Sequence, residues 1–214
     1  MRFKYAAVLL LALSPLAAQA GDIHDEIRSE LKEARAEVRT ELAEERAKLE
    51  RENLSLRDSL QFGRRHHWPD ANRDAIPEAE ITPQGDLLVD GKAVAIDAGQ
   101  RAMLLDYRGQ VIALAKKGID AGERAAMLAL EATDVGLFRM FVGAMTGSLE
   151  RKVRHAVERE VKPAVLEICR DLPRLRQTQQ ALAASIPEFA PYATLEERDV
   201  RHCERDVQRE FAMR

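Results

Sequence analysis

The side chains of this sequence that could do chemistry are few and scattered. His66 and His67 stand together beside the only tryptophan, Trp68, and two arginines, Arg64 and Arg65. Imidazoles bind metals, and a guanidinium beside an indole can pair with or stack on an anion, so this cluster has the residue types of a metal or anionic-ligand site. Its spacing argues against that chemistry. Neighbouring histidines in an extended segment cannot both turn to one ion, and no other His, Cys, Asp or Glu falls at a recognisable ligand spacing. The segment reads instead as an exposed linker with a docked tryptophan. His155 and His202 lie in charged helical stretches and read as solvated or ion-paired. Gly-x-Ser-x-Gly, His-Glu-x-x-His, P-loop and dinucleotide fingerprints are all missing. The sequence therefore offers no catalytic residue, no cofactor and no metal ligand set, and it does not favour an enzyme.

Cys169 and Cys203 are the only cysteines. They lack the Cys-x-x-Cys spacing of a redox motif, and no basic setting singles out either thiol. In an oxidising compartment an even pair is bonded rather than free, and a structural disulfide closing a loop of this length stabilises by ~3 to 4 kcal/mol. The N terminus points to such a compartment. Arg2 and Lys4 form a basic start, residues 6–13 an apolar run, and Ala18-Gln19-Ala20 a small-x-small site; these are the parts of a secretory signal peptide over residues 1–20, cut after Ala20. The apolar run is well short of the ~20 residues that span a bilayer. The expected product is periplasmic, with no stable membrane insertion after cleavage. Of 33 Lys and Arg, loss of Arg2 and Lys4 leaves 31 against 36 Asp and Glu, a net charge near −5 that argues against a nucleic-acid partner.

The elements that would position these residues are mostly helical, since aromatics are 5% of the chain and charged residues 32%. The strongest local signal lies in residues 85–110. Two apolar runs, Leu87-Leu88-Val89 and Ala93-Val94-Ala95-Ile96, flank Asp90-Gly91, the dipeptide suited to a type I′ turn, so a β-hairpin is predicted. Asp97-Ala-Gly-Gln100 then caps a new helix. That helix carries Leu104, Tyr107, Val111 and Leu114 and is predicted to stop at Gly118. Asp120-Ala-Gly-Glu123 reads as a second cap, opening a broadly apolar helix over residues 121–145. The Gly-x-x-x-Gly pairs Gly118/Gly122 and Gly143/Gly147 read as helix boundaries. Helical spacing continues over residues 149–171, where Pro163 kinks the run or starts a new helix. A shorter helix follows over 173–186, and Phe189 and Tyr192 seal the core from a turn at Pro187 and Pro191. Thr194-x-x-Glu197 caps a last helix with Val200, Cys203, Val207 and Phe211 on one face, which turns Cys203 inward toward Cys169.

Residues 22–58 form a charged amphipathic helix in which acid, apolar or small, and base residues recur as triplets. A narrow apolar seam of Ile27, Leu31, Ala34, Val38 and Leu42 runs between acidic and basic stripes. With Leu31 and Val38 at a, opposite charges would meet across a parallel dimer. The register fails where Glu45 and Lys48 occupy a and d, leaving about two heptads, fewer than a convincing coiled coil has. The main reading is a helix lying on its own domain or standing in solvent; a weak homodimer through a short coiled coil is the other.

Three blocks carry a family likeness: Gly85-Asp-Leu-Leu-Val-Asp-Gly91-Lys, Val94-Ala-Ile-Asp97-Ala-Gly-Gln-Arg-Ala-Met-Leu-Leu-Asp-Tyr107, and Leu182-Ala-Ala-x-Ile-Pro-Glu-Phe-x-Pro-Tyr192-Ala. Over residues 81–207 the chain resembles the YggN-like family of periplasmic proteins of unknown function from Gram-negative bacteria. The resemblance implies export and a compact domain after residue 80, and it brings no activity, cofactor or catalytic residue. Further strands precede the hairpin in that family, where this chain has the charged helix and linker.

The expected architecture is mainly α: a signal peptide (1–20), a long charged amphipathic helix (21–60), a linker (61–80), and a small β-hairpin followed by an antiparallel helical bundle (81–214). Two roles fit. One is a non-enzymatic adaptor or chaperone-like interaction module of the cell envelope, with an envelope protein or a second copy as partner. The other is a small-molecule-binding or enzymatic domain with a pocket between hairpin and helices, near Tyr107 and Trp68.

Overall fold

The computed structural model describes residues 14–57, 76–133, 155–156 and 158–212 of the 214-residue chain. The expectations on residues 1–13, on the cluster at residues 64–68, on Gly143 and Gly147, and on the later part of the helix over 121–145 lie outside them. In chain order the elements are α1 (Ser14–Arg51), β1 (Leu54–Ser55), β2 (Ala79–Ile81), β3 (Leu87–Val89), β4 (Lys92–Ala93), α2 (Ala98–Thr133), α3 (Lys162–Ser185), a 3-10 helix (Pro187–Tyr192) and α4 (Glu197–Ala212). The fold is mainly helical, with one small antiparallel sheet and helices bundled against it.

The hairpin forms as its turn residues dictate. Asp90 (φ 48°) and Gly91 (φ 71°) both take positive φ, the type I′ requirement, and Leu88 pairs with Ala93 and Val89 with Lys92. The second strand is shorter than the apolar run suggested, although Val94 N–H still donates to Leu87 O at 2.9 Å. The hairpin does not stand alone. β1 and β2 extend it to a four-stranded meander in the order β1-β2-β3-β4, with Leu54 opposite Ile81 and Ile81 opposite Leu87. Two short strands thus come from stretches expected to be helix end and linker. The signal was the alternation Leu54-Ser55-Leu56 and Ala79-Glu80-Ile81, in which the outer residues of each triplet are buried.

Helix α1 accordingly ends at Arg51 and not near residue 58. Helix α2 opens with the predicted box complete: Asp97 N–H donates to Gln100 Oε1 at 2.9 Å, and Gln100 N–H to Asp97 Oδ1 at 2.8 Å. It then runs unbroken for 36 residues through Gly118, Asp120 and Gly122, so no helix ends at Gly118 and Asp120 is not a cap. Packing overrides the local stop signal, because Val111, Leu114 and Ala121 are buried on both sides of Gly118. Helix α3 starts with Pro163 in its first turn, where a missing N–H costs nothing. It continues through Pro173 to Ser185 instead of restarting there. Pro173 is exposed, and the buried stripe of Cys169, Leu172 and Leu175 crosses it without interruption. The cap of α4 is displaced from the predicted one. Leu195 is held in the core, so the chain turns helical only after Glu196, whose N–H donates to Asp199 Oδ2 at 3.0 Å; Thr194 lies two residues too early.

Neighbouring helices are antiparallel. Gln100 Nε2 donates to Ser185 O (2.7 Å) and Gln110 Nε2 to Thr178 Oγ1 (2.9 Å), joining opposite ends of α2 and α3. Cys169 is bonded to Cys203 across α3 and α4, with Cα atoms 5.6 Å apart. The core gathers Leu54, Ile81 and Leu87 from the sheet, Leu104, Tyr107 and Val111 from α2, Leu172, Leu175 and Leu182 from α3, and Phe189 and Tyr192. Phe189 meets Tyr107 edge-on, with centroids 5.4 Å apart at 86°. Gly85 (φ 83°) is required by a close approach as well as by its conformation, since a Cβ there would lie 2.7 Å from Leu105 Cγ.

Candidate functional site

The long charged helix is the feature with the most surface to offer, and its docking begins at its C-terminal end. The last carbonyls of a helix have no internal donor and carry the negative end of its dipole. Here Arg108 supplies the donor: from Nη2 it reaches Leu49 O (3.1 Å), Glu50 O (2.9 Å) and Glu52 O (2.9 Å), and its side chain is buried beneath them. Ion pairs continue the seam between α1 and α2. Lys116 Nζ pairs with Glu50. Arg46 Nη2 lies 2.6 Å from Asp120 Oδ1 and 2.7 Å from Glu123 Oε2, and Arg39 Nε lies 3.9 Å from Glu123 Oε1. The hydrogen bonds that Arg46 donates to Glu123 and Asp120 raise its pKa, the bond accepted from Lys116 lowers that of Glu50, and the bond donated to Glu45 raises that of Lys48. The carboxylates of the expected second capping box are thus the acceptors of an interhelical arginine.

Leu42 and Val38 sit one and two turns before Arg46, on the face it turns to α2. Together with Leu31 and Ala34 they are half-buried. Ile27 lies in α1, and its side chain is outside the described set. The C-terminal part of the seam is therefore committed to the helix's own domain, while Leu31 and Ala34 lie beyond every polar contact just named.

Beside the Arg46 cluster an open depression of about 520 Å³ is lined by Asp120, Glu123, Arg124, Met127, Arg159 and Glu160. Tyr107, expected near a pocket, is instead 1% exposed within the core, and burial raises its pKa. The junction of sheet and helices is packed with apolar side chains. His155 is exposed with Nδ1 3.9 Å from Glu158 Oε2, and His202 is exposed on α4. Among the described residues no three His, Cys, Asp or Glu side chains are grouped to hold a metal ion. No helix there is long and apolar enough to cross a membrane.

Two residues that organise the interior were not singled out from sequence. One is Arg108. The other is Gln179, fully buried, which donates from Nε2 to Tyr107 Oη and Tyr192 O (both 3.1 Å) and accepts from Leu195 N–H at 2.8 Å. A signal existed for Gln179: it falls midway between Leu175 and Leu182 on an otherwise apolar stripe, where a polar side chain must find partners. Comparison with known protein families, with curated proteins and with solved structures finds no match to this chain.

Proposed function

We propose that this chain is an exported, non-enzymatic interaction module of the bacterial cell envelope, in which the N-terminal part of α1 meets an envelope protein or a second copy. The observation that carries the reading is the split character of α1. Residues 39–52 are pinned to α2 by ion pairs and by Arg108, whereas the seam at Leu31 and Ala34 keeps part of its apolar surface exposed between charged stripes. The acid and base stripes give such a contact its register. The disulfide and the resemblance to the YggN-like family support a periplasmic location, reached through a signal peptide over residues 1–20.

The test is a pull-down from envelope extract together with light scattering over a range of protein concentration, with Leu31→Asp/Ala34→Asp as comparison. That variant leaves Arg108 and its carbonyls in place. Retention of a defined partner or dimer by the natural chain, and its loss in the variant, is the expected result; identical behaviour of the two chains would refute it. Small-molecule binding has one supporting observation, the depression beside Arg159. Ligand binding abolished by Arg159→Ala and untouched by Leu31→Asp/Ala34→Asp would favour that reading instead.

A further inference from the structure

We infer that the Cys169–Cys203 disulfide is a redox latch: its reduction frees α4 from α3 while the sheet, α2 and α3 stay folded. The inference is independent of the role proposed for α1. None of residues 197–211 of α4 is buried; Asp199, Val200, Cys203, Asp206, Val207 and Phe211 are half-buried and the others exposed. The fully buried cluster of sheet, α2, α3 and 3-10 helix includes no α4 residue, and Val200 and Cys203 only pack against its edge. Contacts of α4 among the described residues include its packing along α3 and the cation–π contact of Lys162 Nζ, 5.8 Å from the Phe211 ring. A helix of this length holds poorly without tertiary packing. Release has a natural limit at Leu195, which is buried and tied by its N–H to Gln179. On the other side of the bond, Pro173 has no N–H for the Cys169 carbonyl, so α3 is locally weakest one turn from the latch.

The two sulfurs differ in access, with Cys169 3% exposed and Cys203 half-buried. A dithiol reductant therefore attacks at Cys203 Sγ. The S–S bond breaks, Cys169 leaves as a thiolate and takes a proton from water, and a mixed disulfide joins the reductant to Cys203. The reductant's second thiol then closes on its own first sulfur and expels the Cys203 thiolate, which is protonated in turn. Two electrons pass to the chain, and the dithiol becomes a disulfide.

The test is amide hydrogen exchange on the folded full chain before and after dithiothreitol. Expected is exchange in residues 197–212 faster by roughly two to three orders of magnitude, the factor that loop-closure entropy assigns to a 34-residue separation, with residues 104–111 and 172–182 unchanged. Unchanged exchange in α4 would overturn the latch. So would equal loss of protection in α2 and α3, since the bond would then be a global staple. Cys203→Ser should reproduce the reduced pattern without reductant, and a pattern matching the oxidised chain would equally refute the inference.

Discussion

Replacing Gln179 by Leu keeps nearly the same volume on α3 and removes a polar side chain from the centre of the core. Gln179 serves three groups, and their fates differ. The Tyr192 carbonyl keeps a second donor, Thr194 N–H at 3.0 Å. The Leu195 N–H loses its acceptor outright, and an orphaned buried donor costs ~1 to 3 kcal/mol. The Tyr107 hydroxyl loses the amide that donates to it, at about 1 kcal/mol more. The expected destabilisation is ~2 to 4 kcal/mol, a large share of the ~5 to 15 kcal/mol that holds a domain. Gln179→Ala should cost more again, because it adds a cavity. Urea unfolding with the disulfide intact measures both. A loss below about 1 kcal/mol for Gln179→Leu at unchanged denaturant slope would show that the network does not position the turn before α4.

Arg108→Met should cost only ~1 to 2 kcal/mol, because removing a buried cation offsets part of the lost capping, but it should also admit a protease to residues 40–57. Protection of that stretch equal to the natural chain's would contradict Arg108 as the anchor of α1. Gly118→Ala should stabilise by ~0.5 to 1 kcal/mol, since Gly118 sits mid-helix in α2 and an alanine methyl there would meet nothing within 4 Å, as thermal unfolding will show. A break at that glycine would give the opposite sign. The hydroxyl pKa of Tyr107 is raised in the folded state by burial, so its contribution is complete below the unfolded value of ~10 and is lost as pH rises toward the folded value. Stability measured by urea unfolding should therefore fall above about pH 10, and less steeply in Tyr107→Phe.

Signals that depend on a few neighbouring residues were legible in the sequence. Asp90-Gly91 and Asp97-x-x-Gln100 specify backbone conformations by themselves, and both stand as read. The inward face of Cys203 followed from helical period alone. What failed had a tertiary cause. Asp120-x-x-Glu123 has the composition of a capping box, but two carboxylates on one helix face equally suit an arginine from another helix, and Arg46 is 74 residues away from Asp120 in sequence. Thr194 lost its cap to the pinning of Leu195 by Gln179. Pro173 is tolerated inside α3 because the stripe on either side is buried. β1 and β2 are two and three residues long, too short for a period to declare itself, and each gains its place from the strand beside it. The candidate site was legible in part: the seam from Leu31 to Leu42 was readable, while Arg108, which fixes where α1 lies, showed no distinguishing pattern.

The proposed role of α1 is tested most directly by a photo-reactive amino acid placed at Glu33, an exposed position beside the seam, and irradiated in the native envelope, with exposed Glu188 on the 3-10 helix as control. A discrete adduct is expected from position 33, to an envelope protein or a second copy, that disappears in Leu31→Asp/Ala34→Asp and does not form from position 188. No adduct from position 33, or the same adducts from both positions, would contradict it.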